Sequence, residues 1–279
     1  VPEVAVSVLA AVKGRPEIAL GNAVGSIICD TGLILGLITL FAPISLKNRV
    51  IQRQDWFQLL AGTLLVGSCI PFFSDARIFQ TGGNLPRQMG MVFLILLVVY
   101  LYGSLRWIKD GRPAVPAHRS PDNRKGSVLI GFKILMGSAL VVGTSHFLIP
   151  LVQESAFRFN IPEGVVSATL IAFGTSLPEL VTSITAVRKG YGELAIGNII
   201  GANILNVLFV VGASASITSG GLATPALFFK LLFPAMMGTL IIFRLGIHYS
   251  DTVFKKPFSI MLLSIYAFVT LSSYLGIAA

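Results

Sequence analysis

The sequence predicts an all-α polytopic membrane protein in which one structural unit occurs twice, in opposite orientations. Two observations carry that expectation. The first is composition: 54% of the 279 residues are hydrophobic and only 12% are charged, with a mean hydropathy of +0.82. A soluble domain carries about 25% charged residues, so soluble, disordered and collagen-like classes are excluded. The second is an internal repeat. Residues 1–36 align without gaps on residues 177–212, with 13 of 36 positions identical, among them Pro2, Glu3, Lys13, Gly14, Glu17, Gly21, Asn22 and Gly25. Unrelated apolar segments share a few Leu or Val. They do not share Pro-Glu, Lys-Gly and Gly-Asn at fixed spacing.

A bilayer core of about 30 Å needs roughly 20 apolar residues per helix. By that rule a partial span lies at 1–12 and full spans lie near 20–42, 57–74, 89–108, 128–152, 164–187, 194–216, 224–244 and 257–276. The segment 109–127 is polar, basic and Pro-rich, and divides the chain into halves 1–108 and 128–279. Cys29 and Cys69 form no CxxC pair, which excludes a disulfide framework or zinc ribbon. The chain starts without Met inside an apolar segment, so its beginning is expected to be truncated.

The formal charge of +9 comes from 21 Lys and Arg against 12 Asp and Glu, and these basic residues read as topology signals. Assigning loops to alternating sides places five basic residues on one side (Lys13, Arg15, Arg77, Arg87, Arg158) and fourteen on the other, five of them in 109–127. Lys133 and Lys230 lie within spans. The richer side is expected to be cytoplasmic. Glu3 and Glu179 sit five spans apart, an odd number of crossings, so the two copies run in opposite directions. Inverted repeats are the architecture of secondary transporters, with the substrate near the midplane where the copies meet.

Intramembrane ionisable residues mark functional sites, because each costs roughly 2.5–3.5 kcal/mol on insertion scales. Glu3 after Pro2, Glu179 after Pro178, and Asp30 stand out. Lys133 snorkels towards a helix end, which leaves a cation or protons to compensate the acids. Gly174-Thr175-Ser176-Leu177-Pro178-Glu179 places Gly and Pro in mid-span, where they break a helix and free backbone carbonyls. Those carbonyls, the hydroxyls and the carboxylate are hard oxygen donors. Asn206 is the repeat counterpart of Asp30, and Ala202 that of Ser26. Glu3, Asp30, Glu179 and Asn206 supply three carboxylates and one amide towards the six to eight oxygens that calcium takes. The Gly21-Asn22…Gly25 and Gly197-Asn198…Gly201 runs read either as small-residue helix contacts or as asparagines that hold the carboxylate helices in place. Ser145-His146 has no acid nearby in sequence and reads as a packed or loop-end histidine. Trp56, Trp107 and the span-end tyrosines fit an interfacial belt.

These paired motifs, above all GTSLPELVTSITAVRKGYGELAIGNIIGANILN (Gly174–Asn206), resemble the alpha repeats of the calcium/cation antiporter superfamily, with a closer likeness to prokaryotic sodium/calcium exchangers. The resemblance implies two inverted halves of five transmembrane helices, with alpha repeats at 1–36 and 172–212. The first helix and the front of the second are then absent from this chain, along with the Gly-Thr-Ser that should precede Val1-Pro2-Glu3. It further implies Glu3 and Glu179 as central ligands shared by calcium and sodium, completed by Asp30 and Asn206. Ser26, Thr175, Ser176 and the Ala172 carbonyl are implied as sodium ligands. Two positions depart from the family pattern. Prokaryotic members carry Asn in the first copy and Asp in the second, whereas here Asp30 and Asn206 are swapped. Ala202 stands where Ser is usual, which weakens one sodium position.

The expected activity is calcium/sodium antiport by alternating access, in a monomeric protein of the bacterial inner membrane. Its partners are calcium, sodium and lipid, with no cofactor, nucleotide or nucleic acid. A GxxxxGK[ST] motif is lacking, which speaks against an ATP-driven pump. The alternative in the same superfamily is a proton-coupled exchanger. Such members rely on the two central glutamates, so the third acid, Asp30, favours sodium. A potassium requirement stays open. A cation channel and an intramembrane hydrolase are the rivals from other classes. The first more often builds its pore from repeated subunits, and the second lacks a nucleophile–base pair here.

Overall fold

The computed structural model describes residues 2–44, 49–70, 78–110, 136, 140, 143, 147–250 and 253–275. Residues 111–127 of the loop expected at 109–127 lie outside the described residues, as do most of the first 19 residues of the span expected at 128–152, Lys133 and the Ser145-His146 pair among them, and the side chain of Trp107.

Nearly every described residue is helical. In chain order the helices are α1 (Pro2–Val12), α2 (Pro16–Phe41), α3 (Arg49–Cys69), α4 (Arg87–Asp110), α5 (Glu163–Thr175), α6 (Leu177–Arg188), α7 (Gly192–Ile217), α8 (Phe228–Tyr249) and α9 (Lys256–Tyr274). Residues 147–159 are also helical and precede α5. Five of these helices are long and apolar enough to cross a bilayer on their own: α2, α4, α7, α8 and α9. The α5–α6 pair makes a sixth, bent by 41° at its break. The span expected at 57–74 differs most from expectation. Its helix starts at Arg49, because the polar face bearing Asp55 and Gln58 is buried against other helices instead of lying in a loop.

The repeat is written into the helix limits. α2 begins at Pro16 and α7 at Gly192; both turn π-helical in mid-span, over Cys29–Leu35 and Asn206–Val211. The α-helix resumes at Gly36 and Gly212 and ends at Phe41 and Ile217. All but the Cys29 limit recur at the same 176-residue offset. The turns that precede them contain Gly14 at φ +72° and Gly190 at φ +81°, a left-handed conformation that glycine adopts without steric penalty.

Loop contacts confirm that the copies are inverted. The turn after α1 lies with the start of α5, where Arg15 Nη1 donates to Glu163 Oε1 at 3.3 Å. The turn after α6 lies at the opposite face, where Gly190, Tyr191 and Gly192 share a cavity with Pro43 and Ile44. α2 joins those two faces with 26 residues, roughly 39 Å at 1.5 Å per residue. A two-stranded antiparallel ribbon, Gly83–Leu85 with Leu222–Thr224, closes the first face. At the second face the Phe254 amide donates to the Ile44 carbonyl at 3.2 Å.

Burial separates centre from periphery. Of the α2 window 78% is buried, against 17% for α4 and 28% for α9. The exposed Ile95, Val98, Val99 and Leu105 on α4, and Ile260, Phe268 and Leu271 on α9, form the lipid-facing surface that a spanning helix must present. Lys230 is exposed near the start of α8, where it can snorkel. Arg244, five residues before the end of α8, is part-buried and pairs with buried Asp55 at 3.1 Å.

Candidate functional site

The site forms where the two repeats cross. α1 packs on the π-helical stretch of α7, and α6 packs on the π-helical stretch of α2. Each Pro-Glu helix of one copy therefore abuts the Asp30 or Asn206 segment of the other. π-Helical insertions recur at functional sites because they redirect side chains within a helix. Here one opens immediately before Asp30 and the other at Asn206.

Glu3, Glu179 and Asn206 line a single cavity of about 690 Å³ together with Asn198, Gly201 and Ala202. Glu3 and Asn206 are buried, while Glu179 is half-buried. Asp30 lies behind this cavity, 1% exposed, within electrostatic range of both Glu179 and Glu3 and beside Ser176. Asp30 Oδ1, Glu179 Oε2 and Ser176 Oγ are buried without a hydrogen-bond partner among the described residues. Among the described residues no three His, Cys, Asp or Glu side chains stand close enough to hold a metal ion by themselves. An ion at this crossing would draw on neutral oxygens as well as carboxylates.

The neutral oxygens come from both copies. Ser26 Oγ on α2 lies 3.5 Å from Thr175 Oγ1 at the end of α5. Thr175 Oγ1 also donates to Asn22 Oδ1 at 3.3 Å. The Ala172 carbonyl accepts from the Ser176 amide at 3.0 Å and lies 3.2 Å from Thr175 Oγ1, whose single proton it shares with Asn22 Oδ1. Pro178 has no N–H to reach the carbonyl four residues back, which is that of Gly174. Gly174, Thr175 and Pro178 line a second cavity of about 500 Å³ with Pro2 and Val6. The crossing is thus flanked by a cavity on either side.

Asn22 is the buried hub that binds the copies. Its Nδ2 donates to the Glu3 carbonyl at 3.3 Å and to Ser7 Oγ at 3.0 Å, and its Oδ1 accepts from Thr175. Of the two readings left open by sequence, Asn22 fulfils the one in which it holds a carboxylate helix in place. Small-residue packing operates beside it: a Cβ on Gly21 would lie 2.5 Å from the Gly164 carbonyl oxygen, and one on Gly25 2.1 Å from that of Ala168. Sequence reasoning missed the buried Asp55, Gln58 and Asn203 and the part-buried Arg244 that pairs with Asp55. Their one signal was an acid and a base at the margins of apolar segments far apart in the chain.

Comparison with known proteins agrees with this architecture. The chain is 34% identical over 225 residues to the putative antiporter CaxA of Alkalimonas amylolytica, covering 78% of this chain and 66% of that protein. It is 34% identical over 221 residues to inner membrane protein YrbG of Escherichia coli, covering 78% and 66%. To the sodium/calcium exchanger MaX1 of Methanosarcina acetivorans it is 27% identical over 259 residues, covering 82% and 73%. The chain spans about two thirds of the length of the first of these relatives. The structure superposes on that of the sodium-calcium exchanger NCX_Mj, soaked with 2.5 mM Na⁺ and 10 mM Sr²⁺, with a TM-score of 0.67 at 26% identity, over 97% of this chain and 82% of that one. The family described as sodium/calcium exchanger protein matches residues 1–106 and 130–275, and the chain belongs to that family.

Proposed function

We propose that the chain forms the ion-exchanging core of a secondary antiporter that moves calcium against sodium by alternating access. The observation that carries this reading is the orphaning of Asp30 Oδ1 and Glu179 Oε2, buried carboxylate oxygens without a hydrogen-bond donor among the described residues. A buried unsatisfied polar atom costs about 1–3 kcal/mol, more when charged, so the site is built to be completed by cations. The basic residues of the described spans do not complete it: Arg244 is committed to Asp55 and Lys230 is exposed.

In this reading Glu3 and Glu179 are the central ligands, and Asp30 and Asn206 close the ring around them. Ser26, Thr175, Ser176 and the Ala172 carbonyl serve sodium, the last by exchanging a hydrogen bond for the ion. One divalent ion or several monovalent ions neutralise the same carboxylates, so occupancy is mutually exclusive and the two fluxes are coupled. The names of MaX1 and NCX_Mj, both sodium–calcium exchangers, support calcium and sodium as the ions. The inner-membrane name of YrbG supports the same location for this chain.

The test is calcium uptake into sodium-loaded liposomes carrying the complete membrane protein, on dilution into sodium-free buffer. A parallel arm replaces the sodium gradient with a pH gradient. Sodium-driven uptake is expected. Uptake driven by the pH gradient alone would overturn the sodium coupling and leave the calcium site standing. Flux that needs no counter-ion on the far side would make the protein a channel.

A further inference from the structure

A continuous line of buried polar side chains leads from the second face of the molecule to the residue beside Asp30, and the sodium/calcium reading does not use it. At its outer end Arg244 Nη1 on α8 donates to Asp55 Oδ2 on α3 at 3.1 Å. The guanidinium also stacks over the Trp56 ring, 4.4 Å from its centroid. Gln58 Nε2 donates to the other Asp55 oxygen at 2.8 Å. Asn203 Nδ2 on α7 donates to Gln58 Oε1 at 3.1 Å and to Thr31 Oγ1 at 2.8 Å. Asp55, Gln58, Asn203 and Thr31 are each at most 2% exposed.

The direction of every bond follows from the first. Arg244 can only donate, and a carboxylate paired with it can only accept. Asp55 therefore turns the amide nitrogen of Gln58 towards itself, which turns the Gln58 oxygen towards Asn203. Asn203 must then present its nitrogen to both Gln58 and Thr31, at the expense of its own Oδ1, which is buried without a partner. Thr31 receives a bond and is left with its proton to give. Thr31 lies in the π-helical stretch one residue after Asp30, where the α-helical ladder is already interrupted and lateral support counts most.

We infer that Asp55, Gln58, Asn203 and Arg244 are positioning residues for the ion site: they fix the π-helical segment that carries Asp30 by a polarity relay anchored at the Asp55–Arg244 pair. Outer partners of this kind orient the groups that touch the ion without touching it themselves. The inference rests on Asp30 being an ion ligand.

The test uses the complete membrane protein in liposomes, with three variants. Gln58→Met keeps the volume and breaks the relay. Asp55→Asn removes the anchor that orients Gln58. The double variant Asp55→Asn/Gln58→Glu restores one carboxylate and an acceptor facing Asn203. The half-saturating calcium concentration should rise about tenfold in each single variant, the lower end of the effect of losing an outer partner, with the maximal rate retained. The double variant should recover the original value. Hydrogen–deuterium exchange should be severalfold faster over residues 29–35 in Gln58→Met and unchanged at 99–106. An unchanged half-saturation in Gln58→Met would overturn the relay, as would a double variant no better than Asp55→Asn. If the unaltered protein moves no calcium, the functional reading fails by itself. Exchange over 29–35 still decides the relay, and an unchanged rate there in Gln58→Met overturns it.

Discussion

The two copies of the repeat share their helix limits, the start of the π-helical stretch excepted, and have unlike surroundings. Asn22 is fully buried and bonded to Glu3, Ser7 and Thr175; its counterpart Asn198 is exposed and lines two cavities. Gly21 and Gly25 are pressed against the backbone of Gly164 and Ala168. Among the described residues, Gly197 has only the tip of Gln54 within 4.0 Å of its added Cβ, and Gly201 has nothing. Glu3 is buried and Glu179 half-buried. The same motif thus builds a closed helix contact in one place and a cavity wall in the other. What differs is the described neighbour: Pro16–Ile28 of α2 lies along α5, whereas the counterpart of α5 at the 176-residue offset falls outside the described residues, and the matching face of α7 borders the 690 Å³ cavity.

The largest expected effect tests whether that difference reaches the chemistry. Glu3→Gln and Glu179→Gln should each reduce calcium exchange to the background of empty liposomes, despite their different burial, because each removes a charge the bound ions must balance. Survival of exchange in one variant alone would make the copies functionally unequal. Undiminished exchange in both would sink the site.

Next in size is the glycine pair. Gly25→Ala puts a methyl group 2.1 Å from the Ala168 oxygen, so α2 and α5 must separate, and overpacking of this kind costs about 1–3 kcal/mol. It also pulls Ser26 away from Thr175, now 3.5 Å apart. A clear drop in the thermal unfolding midpoint in detergent is expected, with weakened sodium dependence of exchange. Gly201→Ala meets nothing among the described residues and should leave the midpoint unmoved. An equal drop in Gly201→Ala would mean that the cavity face of α7 is covered by a group outside those residues.

Asparagine truncation is smaller. Asn22→Ala leaves the Glu3 carbonyl, Ser7 and Thr175 without the shared partner, and a typical net loss is about 1 kcal/mol per hydrogen bond. The Asn198 side chain makes no hydrogen bond among the described residues, so Asn198→Ala should be close to neutral for stability. If Asn198→Ala instead weakens calcium dependence with stability intact, its amide faces the ion path through the cavity it shares with Glu3 and Glu179.

These contrasts show which features were legible in the sequence. Helix limits were, because they depend on local backbone requirements that the shared residues encode: the Gly14 and Gly190 turns, and the Pro178 break. The repeat and its inversion also made the meeting of Glu3, Glu179 and Asn206 in one cavity legible; Asp30 does not line that cavity. The start of α3 was not, since Asp55 is tolerable inside the protein only when Arg244, 189 residues away, lies on it, and hydropathy along the chain does not register that pairing. The engagement of the Ala172 carbonyl was equally hidden, as it depends on how Ser176 closes α5 at φ −84°, ψ 0°. Side-chain partners set by distant elements escape a reading confined to one segment.

The smallest expected effect is also the one in which the copies should agree. Gly14 and Gly190 both adopt positive φ, and a Cβ on either meets nothing within 4 Å among the described residues. The penalty for alanine is then purely conformational, about 1–2 kcal/mol for an L-residue held left-handed. Gly14→Ala and Gly190→Ala should lower the unfolding midpoint by the same amount, although the turns lie on opposite faces of the molecule. Asparagine, which tolerates this conformation better than alanine, should recover part of the loss at both. Unequal losses would place the asymmetry of the repeats in the backbone itself. Equal losses confine it to what packs against α2 and α7, and so to the helix faces that enclose Asp30 and expose Asn198.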